Sequence, residues 1–148
     1  KKENLKHTVE IRDRSELLYI KNQVEGLNVK EFLDKLSCCE AVKPYVEALD
    51  LTGVNLHTGD LSFVKDFPKL QRVEFNFDFL LNNPNKQEIV AFLNTIPEDM
   101  RDKIQFNSQK VGDAYITFVW KEGQWVKKIE DYSKDDDIFE PLEEKHLP

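Results

Sequence analysis

The stretch VEALDLTGVNL, Val46–Leu56, decides the fold expected for this chain. Its first half predicts a β-strand that ends at Leu51, because Thr52-Gly53 is a typical strand breaker. Within it, Leu49-Asp50-Leu51 is one of four apolar–x–apolar triplets, which begin 31, 24 and 31 residues apart. Helix-compatible segments lie between them, so the spacing predicts repeated β–α units. The other triplets are Leu18-Tyr19-Ile20, Val73-Glu74-Phe75 and Ile104-Gln105-Phe106.

Local signals predict the elements around these strands. Asn28 is a suitable N-cap for a helix from Val29, since its side chain can accept an early backbone N–H. Asn85 followed by Glu88 resembles a capping box at the start of a second helix. Near the C-terminus two alternating runs, 115–120 and 125–129, are separated by only four residues, which predicts a β-hairpin.

Together these signals predict an α/β fold in a single domain. The β–α repeat units form a largely parallel sheet with helices on one side, and a C-terminal antiparallel hairpin closes the sheet. We assign residues 1–130 to this domain, with the repeat-like part at 17–107 and the hairpin at 114–129. Residues 131–148 form the acidic tail.

The charge of the chain is concentrated at its end. From Glu130 onward there are eight acids and two lysines, a net charge of −6 out of −7 for all 148 residues. Such a segment repels phosphate backbones and anionic membranes and attracts basic protein surfaces. We therefore expect no nucleic acid or membrane as partner. A purely solubilising tail is the alternative.

Composition also bears on the compartment. No apolar run approaches the roughly 20 residues that span a bilayer, and there is no signal-peptide pattern. The two cysteines, Cys38 and Cys39, are adjacent, and neighbours in sequence rarely form a relaxed disulfide. A reducing, cytoplasmic location is therefore expected.

The repeated pattern resembles leucine-rich repeats. The segments 46–56 and 70–80 follow the consensus L-x-x-L-x-L-x-x-N-x-L. The Asn position is filled by Val54 in one copy and by Asp78 in the other. The resemblance covers about residues 17–107 and implies an irregular, short array with an open sheet face.

A second resemblance is to STAS-type regulatory domains. It rests on Leu49-Asp50-Leu51-Thr52-Gly53-Val54, which is similar to the central strand of that family. The phosphorylated turn of the family is absent, and Thr58 is the nearest residue that can replace its Ser or Thr. This resemblance implies a regulatory switch domain.

Motifs for catalysis are missing. The chain has no phosphate loop, no G-x-G-x-x-G and no G-x-S-x-G elbow. Its three histidines have no metal-ligand spacing, so we expect no metal and no cofactor. His57 with Asp60 is a conceivable acid–base pair for an unrecognised enzyme, but we expect the protein not to be an enzyme.

The leading hypothesis is a non-enzymatic protein-binding module that neutralises a basic protein, such as a bacterial immunity protein that inhibits a toxin domain. Toxin nucleases must bind phosphate, so an acidic inhibitor complements them. The alternatives are an STAS-like switch and an unrecognised enzyme. The residues between the buried strand positions are expected to lie outward on one sheet face, including Tyr19 and Lys21. The predicted partner-binding residues are Asp50, Thr52, Glu74, Asn76, Gln105, Asn107, Asp135, Asp136, Asp137 and Glu140.

Overall fold

The computed structural model describes residues 9–14, 17–57 and 59–143. Side chains are described from residue 17 onward within these ranges, except those of Cys38 and Cys39. The mixed α/β class predicted from the sequence is confirmed, with one mainly parallel sheet and one antiparallel sheet.

Each of the four triplets places at least two of its three residues on one of four neighbouring strands of the first sheet. Strands β2 to β5 are parallel and follow one another in chain order, and β1 pairs with β2 in the antiparallel sense. Ile20, Leu49, Val73 and Phe106 are in register across the sheet and all buried. The strands are β1 Val9–Arg14, β2 Leu17–Asn22, β3 Ala48–Asp50, β4 Arg72–Glu74 and β5 Gln105–Phe106.

The connections between the parallel strands contain helices and 3₁₀ turns. Helix α1, Val29–Lys35, begins with the full capping box of Asn28 and Glu31. Helix α3, Lys86–Leu93, begins at Asn85, whose side chain accepts from two backbone N–H groups. The short helix α2, Asp78–Leu81, was not predicted. The 3₁₀ turns are Leu36–Cys39, Lys43–Tyr45, Ser62–Asp66 and Glu98–Met100.

The second sheet is antiparallel, in the order β6-β7-β8-β9. Its strands are β6 Gln109–Val111, β7 Ala114–Lys121, β8 Gln124–Asp131 and β9 Ile138–Pro141. The β7–β8 turn has two residues, Glu122 and Gly123, with φ of 53° and 77°. Both angles are positive, as a type I′ turn requires. The turn is therefore tighter than the four-residue connection expected from the sequence.

Strand β9 places part of the predicted acidic tail in this sheet. Its register is given by the Leu142 N–H, which donates to the Trp125 carbonyl at 3.4 Å. Because antiparallel pairs alternate between hydrogen-bonded and non-hydrogen-bonded, Phe139 and Pro141 direct their backbone groups away from β8. Leu142 is buried and belongs to the main core.

Aromatic side chains join the two sheets. The rings of Phe106 in β5 and Trp125 in β8 are stacked, with centroids 5.9 Å apart. Phe77 and Phe118 meet edge to face at 5.4 Å. The Trp125 indole N–H also donates to Asn94 Oδ1 at 3.1 Å, just after α3. One buried cluster therefore includes residues of both sheets.

Candidate functional site

The predicted open face of the parallel sheet is less exposed than the sequence indicated. Tyr19 and Asp50 are 2% and 8% exposed, so their expected exposure is wrong. Asp50 lies between Lys21 and Glu74 in the register, and such longer neighbours cover a short side chain on a central strand. Tyr19 is flanked by β1 and β3 on its two sides.

Other predicted residues of this face are exposed or partly exposed. Thr52, Asn76 and Gln105 are exposed. Glu74 is half-buried, and its carboxylate lies 3.6 Å from the Arg72 guanidinium. Asn76 Oδ1 accepts the Asp78 N–H at 2.9 Å, in a turn just before α2.

Asn107 has a structural function. Its Oδ1 accepts from Phe75 N at 2.9 Å and its Nδ2 donates to Phe75 O at 3.0 Å. Gln109 continues the pattern, with its Oε1 accepting from Phe77 N at 3.1 Å. These two amide side chains extend the β4–β5 pairing where the strands end, and the Asn107 amide is occupied by backbone groups.

The predicted acidic residues lie in and beside the β8–β9 loop. Asp135, Asp136, Asp137 and Glu140 are all exposed. At the start of the loop, Asp131 Oδ1 accepts the N–H and the hydroxyl of Ser133, at 2.9 and 2.7 Å. These two hydrogen bonds lower the pKa of the Asp131 carboxyl below its ordinary value of 3.8.

A cleft of about 320 Å³ lies between the parallel and antiparallel sheets. Gln105 of β5 is on one side, and Thr117, Val119, Lys128 and Glu130 of β7 and β8 are on the other. Because these four positions alternate along their strands, they share one face of the antiparallel sheet, which we call the outer face. The cleft therefore connects the predicted face of the parallel sheet to the outer face.

Lys128 links the acidic loop to this cleft. Its Nζ lies 3.1 Å from the Glu130 carboxylate and 3.8 Å from the Asp137 carboxylate. Two of the predicted partner-binding residues are thus at the cleft. Gln105 lines it, and Asp137 lies beside its lining residue Lys128. Asp50 and Asn107 are not among the residues that line it.

The second cation of the cleft, Arg101, is held by the protein itself. Its Nε donates to the Ile96 carbonyl at 2.9 Å, and its Nη2 donates to the Asn94 carbonyl at 3.1 Å. The guanidinium also lies 4.8 Å from the ring centroid of Trp120. Asp102, the next residue, also lines the cleft, so its lining contains two cations and two carboxylates.

One polar atom of the cleft lining has no hydrogen-bond partner among the described residues. Thr117 is 7% exposed, and its buried hydroxyl makes no hydrogen bond within the part of the chain that the structure describes. A buried hydroxyl without a partner costs about 1–3 kcal/mol. Less than 1 Å² of this oxygen is accessible, so a ligand in the cleft can bond to it only after the neighbouring side chains shift.

Exposed apolar side chains accompany the acidic loop. Tyr132, Ile138 and Phe139 are 78%, 36% and 40% exposed. The Tyr132 ring meets the Tyr115 ring edge to face at 5.4 Å, and a hydrogen bond with Tyr115 raises the pKa of Tyr132 above its ordinary value of 10.0. Lys121 Nζ lies 3.8 Å from the centroid of the Phe139 ring.

His57 and Asp60, the acid–base pair considered for an enzyme, each contact other groups. The His57 ring is exposed and meets the Phe79 ring edge to face, with the ring centroids 6.0 Å apart. Asp60 Oδ1 accepts from the backbone N–H and the hydroxyl of Ser62. Thr58, on which the STAS-like switch depends, lies outside the described residues. Among those described, no cluster of three or more His, Cys, Asp or Glu can hold a metal ion.

Sequence reasoning missed Thr117, Lys128, Tyr132 and Phe139. The alternation in β7 was a usable signal, because it places Tyr115, Thr117 and Val119 on one face. It does not tell which face is open, since that depends on how β7 and β8 pack against β5.

No helix in the described ranges combines the length and apolar character needed to cross a bilayer. Comparison of the chain with protein-family models, curated proteins and solved structures finds no match. The likenesses to leucine-rich repeats and to STAS domains therefore stay predictions.

Proposed function

We propose that this protein is a non-enzymatic binding module that neutralises a basic protein. The observation that carries the proposal is the exposure of Tyr132, Ile138 and Phe139 within a strongly acidic segment. Aromatic side chains are enriched among the residues that dominate binding energy. Carboxylates around them accelerate encounter with a positive surface and select against negative partners.

The charge of this region supports a basic partner. Residues 131–143 contain six acids and one lysine. Asp135, Asp136 and Asp137 are exposed in a loop that begins at the Asp131–Ser133 turn. A negative electrostatic potential over one part of a small protein favours positively charged partners.

A toxin domain is the partner class that we favour, and a bacterial immunity protein is the corresponding identity. A nuclease toxin binds phosphate through basic residues, and an acidic protein that covers them blocks the substrate. A cytoplasmic location belongs to the same proposal, because an immunity protein acts where the toxin meets its target.

The proposal includes the finer architecture predicted from the sequence, namely β–α repeat units with helices on one side and closure by a C-terminal hairpin. It is supported by the helix or 3₁₀ turn that lies between each pair of successive parallel strands. The antiparallel packing of β7 on β8 also agrees with it.

The test uses charge changes rather than truncation, because residues 130–131 and 138–141 belong to strands. The variant is Asp135→Asn, Asp136→Asn, Asp137→Asn. Its matched control is Asp66→Asn, Glu98→Gln, Asp99→Asn, at exposed positions outside the acidic tail. Both carry the same net charge.

The partners tested are purified basic nuclease toxin domains, with association measured by stopped flow and nuclease activity measured in parallel. We expect one domain to bind and be inhibited, with association about tenfold slower for the loop variant than for the control at low salt. Failure of every domain to bind, or equal and salt-independent association of both variants, would reject the proposal.

A further inference from the structure

We propose that the cleft between the two sheets binds one arginine side chain of the basic partner, beside Lys128, which competes with it for the same carboxylates. This inference rests on the proposed function and names the group that is recognised. It assigns the cleft, rather than the acidic loop alone, as the place where specificity is set.

The size of the cleft suits a side chain. Its volume of about 320 Å³ is at the lower end of the roughly 300–1,000 Å³ typical of ligand pockets. Val119 and Trp120 supply apolar surface in its lining. Long cationic side chains pack their methylenes on such surface and keep the charged end near polar groups.

The Thr117 hydroxyl points to a hydrogen-bonding ligand. It is buried and lacks a partner in the described ranges, and Thr117 lies directly across from Lys128 in the β7–β8 register. A guanidinium has five N–H donors in a fixed plane. Once the lining shifts to expose this oxygen, the guanidinium can donate to it and to a carboxylate at once. An ammonium is a compact charge with fewer geometric options.

The carboxylates beside the cleft already hold a cation. Glu130 and Asp137 both lie within 4 Å of Lys128 Nζ, at 3.1 and 3.8 Å. Lys128 thus shows where a positive group is stable, and it competes with an incoming one. Arg101 does not compete in this way, because two carbonyls and Trp120 hold its guanidinium.

The first experiment titrates the full-length protein with Gly-Arg-Gly, blocked at both ends, and follows the protein's backbone amide and tryptophan indole N–H groups by NMR. The comparison peptide replaces arginine by citrulline, which has nearly the same shape and no charge. We expect saturable shifts at Thr117 and Val119 and at the Trp120 indole, and at least about fivefold weaker binding of the citrulline peptide. Equal binding of both peptides, or shifts confined to residues 132–137, overturns the inference.

The second experiment compares Lys128→Gln with Lys127→Gln. Both remove one positive charge, but only Lys128 has its side chain beside the cleft. We expect Lys128→Gln to bind the arginine peptide about threefold or more tightly than the control, because Glu130 and Asp137 are released. An equal affinity of the two variants would show that Lys128 does not compete with the arginine side chain, which contradicts the assigned position.

The third experiment separates binding from folding. Thr117→Val removes the unpartnered hydroxyl and keeps the branched shape. We expect the melting temperature to rise by about 2–4 °C while the arginine peptide binds about two- to tenfold more weakly. A merely structural hydroxyl would leave the peptide affinity unchanged, which refutes its assigned contact.

The outcomes also distinguish this inference from the proposed function. Binding of a basic toxin domain that depends on Asp135 to Asp137 but is unaffected by Thr117→Val and Lys128→Gln rejects the cleft and leaves the function standing. Absence of binding to every domain, together with no peptide binding, rejects both.

Discussion

Replacing Trp125 by alanine tests whether the two sheets are one folding unit. Trp125 is 1% exposed, stacks on Phe106 at 5.9 Å and donates to Asn94 at 3.1 Å. An aromatic side chain of this size buries about 200 Å², worth about 5 kcal/mol at about 25 cal/mol per Å². Substitutions of this kind cost about 3–5 kcal/mol, so we expect a loss of about 4 kcal/mol in the free energy of unfolding.

The assay is urea unfolding followed by far-UV circular dichroism, because the substitution changes the tryptophan fluorescence. With a slope of about 2 kcal/mol/M, the midpoint should fall by about 2 M in a single transition. Trp120→Ala is the matched control. Trp120 is only partly buried, so its replacement should lower the midpoint by less than half as much. An unchanged midpoint for Trp125→Ala, or two transitions in the wild type, would refute the reasoning.

Three local predictions follow from hydrogen bonds and backbone angles. Asn28→Ala removes the cap of α1 and should cost about 1 kcal/mol, measured by thermal unfolding, whereas Asn28→Asp should retain most of the stability. Glu122→Asn places a residue that tolerates positive φ at a position with φ of 53° and should stabilise the hairpin by about 0.5–1 kcal/mol; a lower melting temperature would contradict this. The Asp131 carboxyl should titrate below 3.8 by NMR, and Ser133→Ala should bring its pKa part of the way back toward that value, since it removes the hydroxyl bond, the larger cause of the lowering, and keeps the backbone N–H bond. Because the folded pKa is depressed, the contribution of this turn is fully present above pH 3.8 and is lost as the pH falls through the folded value.

Local signals predicted several elements well. Asn28 and Asn85 cap their helices where expected, because a side-chain oxygen next to free backbone N–H groups acts within one turn. The alternation in β7 and β8 predicted the paired strands. Each of these features depends on a few residues that are neighbours in the chain, so it can be predicted from the local sequence.

Features that depend on distant partners were missed. Strand β9 has only four residues, and its pairing with β8 is visible only when both are placed. Asp50 was expected to be exposed because it separates two buried leucines, yet Lys21 and Glu74 from other strands flank it. The cleft likewise requires β5 and β7 to meet, which no local pattern encodes.

The position of Pro141 in β9 has a consequence for self-association. β9 is an edge strand, and its outward backbone positions are Phe139 and Pro141. Proline has no N–H, so this edge offers a single outward donor, at Phe139, to any strand that approaches. Pro141 therefore disfavours continued sheet growth at this edge from one molecule to the next, and the exposed charge of Glu140 adds to this effect. The exposed Ile138 and Phe139 thus lie on a strand whose edge is poorly suited to pairing with another molecule.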